Sequence, residues 1–132
     1  MIAVDTNVLV RFLVRDDEKQ AEIARKHIRK AELRRERLKI PLLVVLETIW
    51  VLESAYDKTR SEILDTIRDM RQMRVFDFEA DQVIEGLLDD GPKHKADLAD
   101  IMIAHAAIAT GCETVITFVK SAAKLPSFSL LK

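Results

Sequence analysis

Short apolar runs alternate along the chain with longer segments whose apolar residues recur at helical spacing. The run at residues 1–4 ends on Asp5 and predicts a fully buried strand that opens into a loop. Residues 44–55 are apolar on nearly every side and predict a largely buried helix. The same reasoning predicts strands at residues 39–43, 75–78, 114–118 and 128–131, helices at residues 17–37, 79–88 and 97–110, and one more helix capped by Thr59 or Ser61.

This alternation of strands and helices predicts an α/β fold. Strands separated by helices of ten or more residues favour a mostly parallel sheet of roughly five strands with helices on both faces, a three-layer α/β/α sandwich. Only three glycines and three prolines occur, and no linker interrupts the chain, so we expect one domain over residues 1–132. In such a fold, functional sites collect at the carboxyl ends of the strands.

Composition limits the classes of partner. The 21 basic and 22 acidic residues give a formal charge of -1, which indicates neither a nucleic-acid nor a membrane partner. The single cysteine, Cys112, excludes an intrachain disulfide. The N-terminus lacks a signal-peptide pattern, and no apolar run approaches the roughly 20 residues of a membrane span. We therefore expect a cytoplasmic protein without a membrane partner.

Carboxylates occur at three places where the pattern otherwise indicates burial. Asp5 follows the first strand, Glu47 is the only charged residue between positions 40 and 52, and Asp97 and Asp100 lie three apart at the start of an apolar helix. Buried carboxylates need a partner, and these segments offer no nearby lysine or arginine. Two carboxylates about 4 Å apart repel by on the order of 4 kcal/mol, whereas a hard divalent cation such as Mg²⁺ would offset that repulsion.

Each of these carboxylates also has a structural interpretation. Asp5 or Asn7 would serve equally well as the cap of a helix that begins near Val8. Asp97 fits an N-cap better than a metal ligand, with Asp100 in the first turn beside the helix dipole. For Glu47 the functional interpretation is favoured, because an unpaired glutamate buried in a helix this apolar would cost several kcal/mol.

Four blocks of sequence, in order, resemble the PIN-domain nucleases and in particular the VapC-like toxins of bacterial and archaeal toxin–antitoxin pairs. The first block is IAVDTNVLVR at residues 2–11, and the second is LVVLETIW at residues 43–50. The third is ADLADIMIA at residues 96–104, and the fourth is GCETVITF at residues 111–118. Together they span nearly the whole chain.

The resemblance implies a magnesium-dependent endoribonuclease, with Mn²⁺ as a substitute, that cuts single-stranded or looped RNA by attack of metal-activated water on a phosphodiester. It implies that Asp5 and Asp100 hold the ion, while Glu47 binds it directly or orients the water. Three further side chains would position the carboxylates through hydrogen bonds: Thr6, Asn7 and Thr117. It also implies a homodimer, inhibition by a small antitoxin protein whose tail covers the pocket, and operator DNA bound only through that antitoxin.

One position departs from the family pattern. Many relatives have an aspartate directly after the Thr-Phe of the fourth block, and this chain has Val119 there. We hypothesise that Asp97 partly replaces the missing carboxylate. One alternative is a catalytically impaired PIN-like binding or regulatory module. A second is a magnesium-dependent phosphohydrolase with a nucleophilic Asp5, although Asn7 stands where that chemistry usually has a second aspartate.

Four other features have structural interpretations. The basic run at residues 25–39 fits the solvated face of a helix better than an RNA-binding surface. His105 is expected to be a hydrogen-bonded residue of the apolar helix, and Cys112 a small buried residue. Trp50 is expected to belong to the core.

Overall fold

The computed structural model describes residues 1–132 and confirms the alternation of helices and strands. The strands are β1 (Ile2–Ala3), β2 (Leu38–Ile40), β3 (Phe76–Phe78), β4 (Val115–Thr117) and β5 (Phe128–Leu130). The helices are α1 (Thr6–Leu13), α2 (Glu18–Leu33), α3 (Leu42–Ser54), α4 (Arg60–Gln72), α5 (Asp81–Asp90) and α6 (Leu98–Ala109), and Ala122–Lys124 forms a 3₁₀ turn. None of the helices is long and apolar enough to cross a bilayer.

All strand pairs are parallel, as the connections through helices require. The five strands form two sheets, one with the order β1-β2-β3 and a second that contains β4 and β5. Because only β2 pairs with β1, the expectation of a fully buried first strand is wrong: Ile2 is 58% exposed, and burial begins at Val4. The parallel direction places the carboxyl ends of β1, β2 and β3 at the same edge of their sheet.

Local capping sets where several helices begin. The Asp17 carboxylate accepts a hydrogen bond from the Gln20 N–H at the start of α2. Thr59, rather than Ser61, caps α4 in a reciprocal arrangement, because its hydroxyl accepts from the Glu62 N–H and the Glu62 carboxylate accepts from the Thr59 N–H. Gly111 ends α6 with φ +92, a conformation that glycine adopts without strain.

Helix α3 is less buried than its composition predicts. Only one face packs into the core, through Val45, Thr48, Ile49 and Leu52. Trp50 is 67% exposed, so the expectation that it belongs to the core is wrong. The opposite face lines a surface cleft, and apolar residues at such a cleft give the same sequence pattern as a fully buried helix.

The side chain of Glu79, the residue that follows β3, fixes the start of α3. Pro41 occupies the N-cap position and offers no side-chain acceptor. The Glu79 carboxylate takes that place and accepts a hydrogen bond of 2.7 Å from the Leu42 N–H. The first turn of α3 is therefore attached to the residue that follows β3.

Helices α5 and α6 pack closely at Gly86. The His105 ring lies directly over Gly86, where a Cβ would overlap it, and His105 Nε2 lies 2.6 Å from Asp90 Oδ2. His105 is thus the hydrogen-bonded residue that the sequence predicts. Cys112, just beyond α6, is exposed, which contradicts its expected burial.

Gly86→Ala is expected to destabilise the protein, although alanine is the better helix former. Overlap with a packed ring costs about 1–3 kcal/mol, and the helix propensity gained offsets up to about 1 kcal/mol. Denaturant unfolding should show a lower free energy of unfolding for Gly86→Ala. In a His105→Ala background the same change should cause no loss, and a loss of equal size there would contradict the packing explanation.

Candidate functional site

A surface cleft of about 670 Å³ lies where α1, α3 and α6 approach one another. Its polar lining consists of Asp5, Thr6, Glu47 and Glu53, and no lysine or arginine lines it. The remaining wall is apolar and is formed by Leu43, Val44, Leu46, Ile49, Trp50 and Ala99. We call this feature the acidic cleft.

Asp5 enters the acidic cleft from the carboxyl end of β1. It is also the N-cap of α1, since its Oδ1 accepts a hydrogen bond of 2.7 Å from the Thr6 N–H. The carboxylate is exposed and makes no other hydrogen bond, so Oδ2 is available to a ligand. The capping and ligand-binding interpretations of Asp5 are therefore compatible.

Glu47 lines the acidic cleft from α3, but it is exposed. The expectation that it is buried is wrong, and with it the argument from the cost of burying a lone glutamate. Its place in the same cleft as Asp5 gives a different reason to consider function, because the two carboxylates come from separate elements.

Asp97 and Asp100 lie at the start of α6, whose Ala99 lines the acidic cleft. Asp97 occupies the N-cap position as predicted, yet its side chain makes no capping hydrogen bond. Asp100 is half-buried; this burial raises the pKa of its carboxyl, and the negative charge of Asp97 raises it further. The Asp97 carboxylate therefore raises the pKa of Asp100 and does not cap the helix backbone.

Glu53 is an acidic residue of the cleft that the sequence analysis missed. Burial raises the pKa of its carboxyl, and the charge of Asp97 raises it further, while Arg60 lowers it. Because Asp97 affects both Glu53 and Asp100, the carboxylates of α3 and α6 share one electrostatic environment. The spacing of positions 43, 46, 47, 50 and 53 along one side of a helix is the signal that would have identified Glu53.

The residues expected to position the carboxylates lie in different surroundings. Thr6 is buried and lines the acidic cleft, to which Asp5 also belongs. Asn7 is exposed and lines a second groove, between β1 and α2, which Asp5 also lines. The Thr117 hydroxyl accepts a hydrogen bond of 3.0 Å from the Val119 N–H, and Val119 is 48% exposed.

The donor set of the acidic cleft suits a hard cation. In this arrangement no three acidic, histidine or cysteine side chains converge closely enough to hold a metal ion. The available donors are nevertheless negatively charged carboxylate oxygens, which are the ligands that Mg²⁺ prefers. Burial first, and the charge of Asp97 second, raise the pKa of the Glu53 and Asp100 carboxyls, and Arg60 opposes the shift at Glu53 alone.

Comparison with protein families gives one match. The family model described as PIN domain matches residues 2–125, a range that includes every acidic residue of the site. Comparison with the curated proteins gives no match.

Proposed function

Because the chain belongs to the PIN domain family, whose members are generally nucleases that use divalent metals, we propose that it is a magnesium-dependent endoribonuclease. The observation that carries this proposal is the acidic cleft, which receives Asp5 from the end of β1 and Glu47 from α3 and is bordered by the start of α6. Asp5 and the α3 residues Glu47 and Glu53 thus line one cleft. Asp97 and Asp100 are not among its lining residues, but they flank Ala99, which brings α6 to its edge.

Asp5, Glu47 and Asp100 would hold the ion, with Asp97 contributing charge, and Mn²⁺ would substitute for Mg²⁺. When bound, the ion supplies Lewis-acid activation of water and neutralises charge on a phosphodiester. The Thr6 N–H holds Oδ1 of Asp5 in place, which leaves Oδ2 without a hydrogen bond from the protein. Glu53, with its raised pKa, is better suited than an ordinary glutamate to exchange a proton within the cleft near neutral pH.

The four sequence blocks support a finer assignment. We propose a VapC-like toxin of a toxin–antitoxin pair that acts on RNA in the cytoplasm. It would form a homodimer and be inhibited by a small antitoxin protein, and operator DNA would join the complex only through that antitoxin. Co-purification with the product of the neighbouring open reading frame tests this assignment separately from the chemistry.

A second candidate is a catalytically impaired PIN-like binding or regulatory module. Val119 favours it, because an exposed valine stands where many relatives have a carboxylate. This candidate predicts that neutralising Asp5 or Asp100 leaves the behaviour of the protein unchanged.

Asp5→Asn distinguishes the two candidates. Asparagine caps a helix as well as aspartate does, so α1 should persist while a metal ligand is lost. Even residues that only support metal ligands contribute about 10–100-fold, so cleavage of total cellular RNA with Mg²⁺ should fall at least about 100-fold. EDTA should stop cleavage by the wild type.

Asp69→Asn is the matched control, since it removes one negative charge from an exposed position on α4 and should cleave at the wild-type rate. Cleavage by Asp5→Asn at the wild-type rate, or undiminished cleavage in EDTA, would refute the nuclease proposal.

A further inference from the structure

The segment 91–96, which forms most of the connection between α5 and α6, is held by one side chain. The Arg60 guanidinium donates three hydrogen bonds to its backbone carbonyls: Nε to Gly91 at 2.8 Å, Nη1 to Ala96 at 2.7 Å and Nη2 to His94 at 2.6 Å. The planar guanidinium fixes the directions of these bonds, so the segment has a defined shape. Its acceptors are neutral carbonyls, which leave the positive charge of Arg60 without a bonded counter-ion.

This arrangement creates a positively charged groove of about 590 Å³. We call it the basic groove; Arg60, Arg68, His94 and Lys95 line it together with the single acidic residue Asp65, which pairs with Arg68 at 2.9 Å. Lys93 and Lys95 are exposed, and neither forms an ion pair. The ammonium groups of the segment are therefore available to an anionic partner.

The basic groove lies next to the acidic cleft. Arg60 lines the groove and lowers the pKa of Glu53, which lines the cleft. Lys95 is two residues from Asp97, a backbone distance of at most about 7 Å. A strand whose reacting phosphodiester lies in the acidic cleft would therefore bring a neighbouring phosphate to the groove.

The other basic region of the chain, at residues 25–39, contributes no residue to the lining of the acidic cleft. In the run at residues 25–39, Arg37 donates to the carbonyls of Arg74 and Phe76, and Lys39 pairs with Asp77 at 2.9 Å. These two side chains join β2 to β3 and are used within the fold. The exposed basic residues of α2, such as Arg29 and Lys30, lie on a helix that does not line the acidic cleft.

We propose that the basic groove binds the phosphates of single-stranded RNA beside the cleaved bond. The principal contacts are Lys95, which lines the groove, and Lys93, which is exposed two residues earlier on the same segment. This inference rests on the proposed nuclease function. It explains how a protein with a formal charge of -1 attracts a polyanion: the positive charge is concentrated next to the site. Phosphate contacts of this kind carry affinity and little sequence preference.

The test measures binding without cleavage. Fluorescence anisotropy would follow a fluorescein-labelled single-stranded RNA of about 12 nucleotides, in EDTA, with all variants made in the Asp5→Asn protein. Lys93→Ala/Lys95→Ala should weaken binding about tenfold at low salt. The slope of log affinity against log salt concentration should fall by about 1.4, since each phosphate contact on a single strand contributes about 0.7.

Arg29→Ala/Lys30→Ala is the matched control, because it removes two exposed positive charges from α2. This variant should bind RNA with the same affinity and the same salt dependence as its parent. The proposal is overturned if the Lys93/Lys95 variant binds as tightly as its parent, if the α2 variant loses as much, or if the parent does not bind RNA.

A parallel cleavage assay separates this inference from the nuclease proposal. If the protein with intact Asp5 cleaves RNA while the Lys93/Lys95 variant binds normally, only the role of the groove is refuted. If it does not cleave RNA but binding depends on Lys93 and Lys95, only the nuclease proposal is refuted.

Discussion

Asp100→Asn is expected to reduce RNA cleavage by at least about 100-fold and, in the absence of metal, to make the folded protein more stable at neutral pH. The loss of activity follows from removing a carboxylate that we propose to be a metal ligand. The gain in stability follows because burial and the charge of Asp97 both disfavour the ionised form of Asp100. A residue that only supported the fold would not show these two opposite effects.

The sign of the pH dependence follows from the raised pKa of Asp100. Below its ordinary value of 3.8 the carboxyl is neutral in both the folded and the unfolded chain, so wild type and variant should be equally stable. As the pH rises through the raised pKa, the unfolded chain ionises more readily, and the wild type loses stability relative to the asparagine variant.

Thermal unfolding in EDTA at neutral pH and below pH 3.8 measures this difference. Asp69→Asn, on the exposed surface of α4, controls for the change in net charge. A lower melting temperature for Asp100→Asn than for wild type at neutral pH would show that Asp100 stabilises the metal-free fold.

Asp97→Asn is expected to lower magnesium affinity and cleavage about tenfold, within the range for residues that support metal ligands. Its charge acts on both Glu53 and Asp100, so removing it weakens the attraction for a cation from two sides of the cleft. Since Asp97 makes no side-chain capping bond, and asparagine suits an N-cap, α6 should remain intact.

Val119→Asp in the Asp97→Asn protein tests the proposed replacement. If Asp97 substitutes for the carboxylate missing at Val119, the double variant should recover most of the magnesium affinity measured by calorimetry. Val119 is 48% exposed, so the new charge should be tolerated. If Asp97→Asn leaves the magnesium affinity unchanged, the replacement hypothesis is discarded. If Val119→Asp raises the magnesium affinity equally with and without Asp97, the result is the one expected of an impaired module.

The secondary structure and the family could be predicted because their signals are local. Helical spacing, the Thr59 cap and the glycine after α6 each determine the conformation of residues within a few positions. The parallel direction of the strands also followed from local evidence, since helices separate them. The division into sheets of three and two strands depends on packing between distant segments, which these signals do not encode.

The site was predicted in part. Asp5 and Glu47 line one cleft as expected, but Asp100 is not among the residues that line it, and the expected burial of Glu47 and Trp50 was wrong. An apolar helix that lines an open cleft has the same composition as one inside a core, so hydrophobicity alone does not distinguish them.

Arg60 shows a second limit of the sequence. Its acceptors are backbone carbonyls more than 30 positions away, and every residue type provides a carbonyl. No pattern of side chains therefore marks this contact in advance.

The close fit of His105 against Gly86 also fixes the position of α6, whose first turn carries Asp100. Asp100 lies five residues before His105 on α6, about 7.5 Å along a rigid rod. A shift of α6 at the His105 ring would therefore also shift the Asp100 carboxylate. Positions 86 and 105 therefore hold in place the end of α6 that carries Asp97 and Asp100. Substitutions at these two positions should lower the metal affinity without changing a proposed ligand.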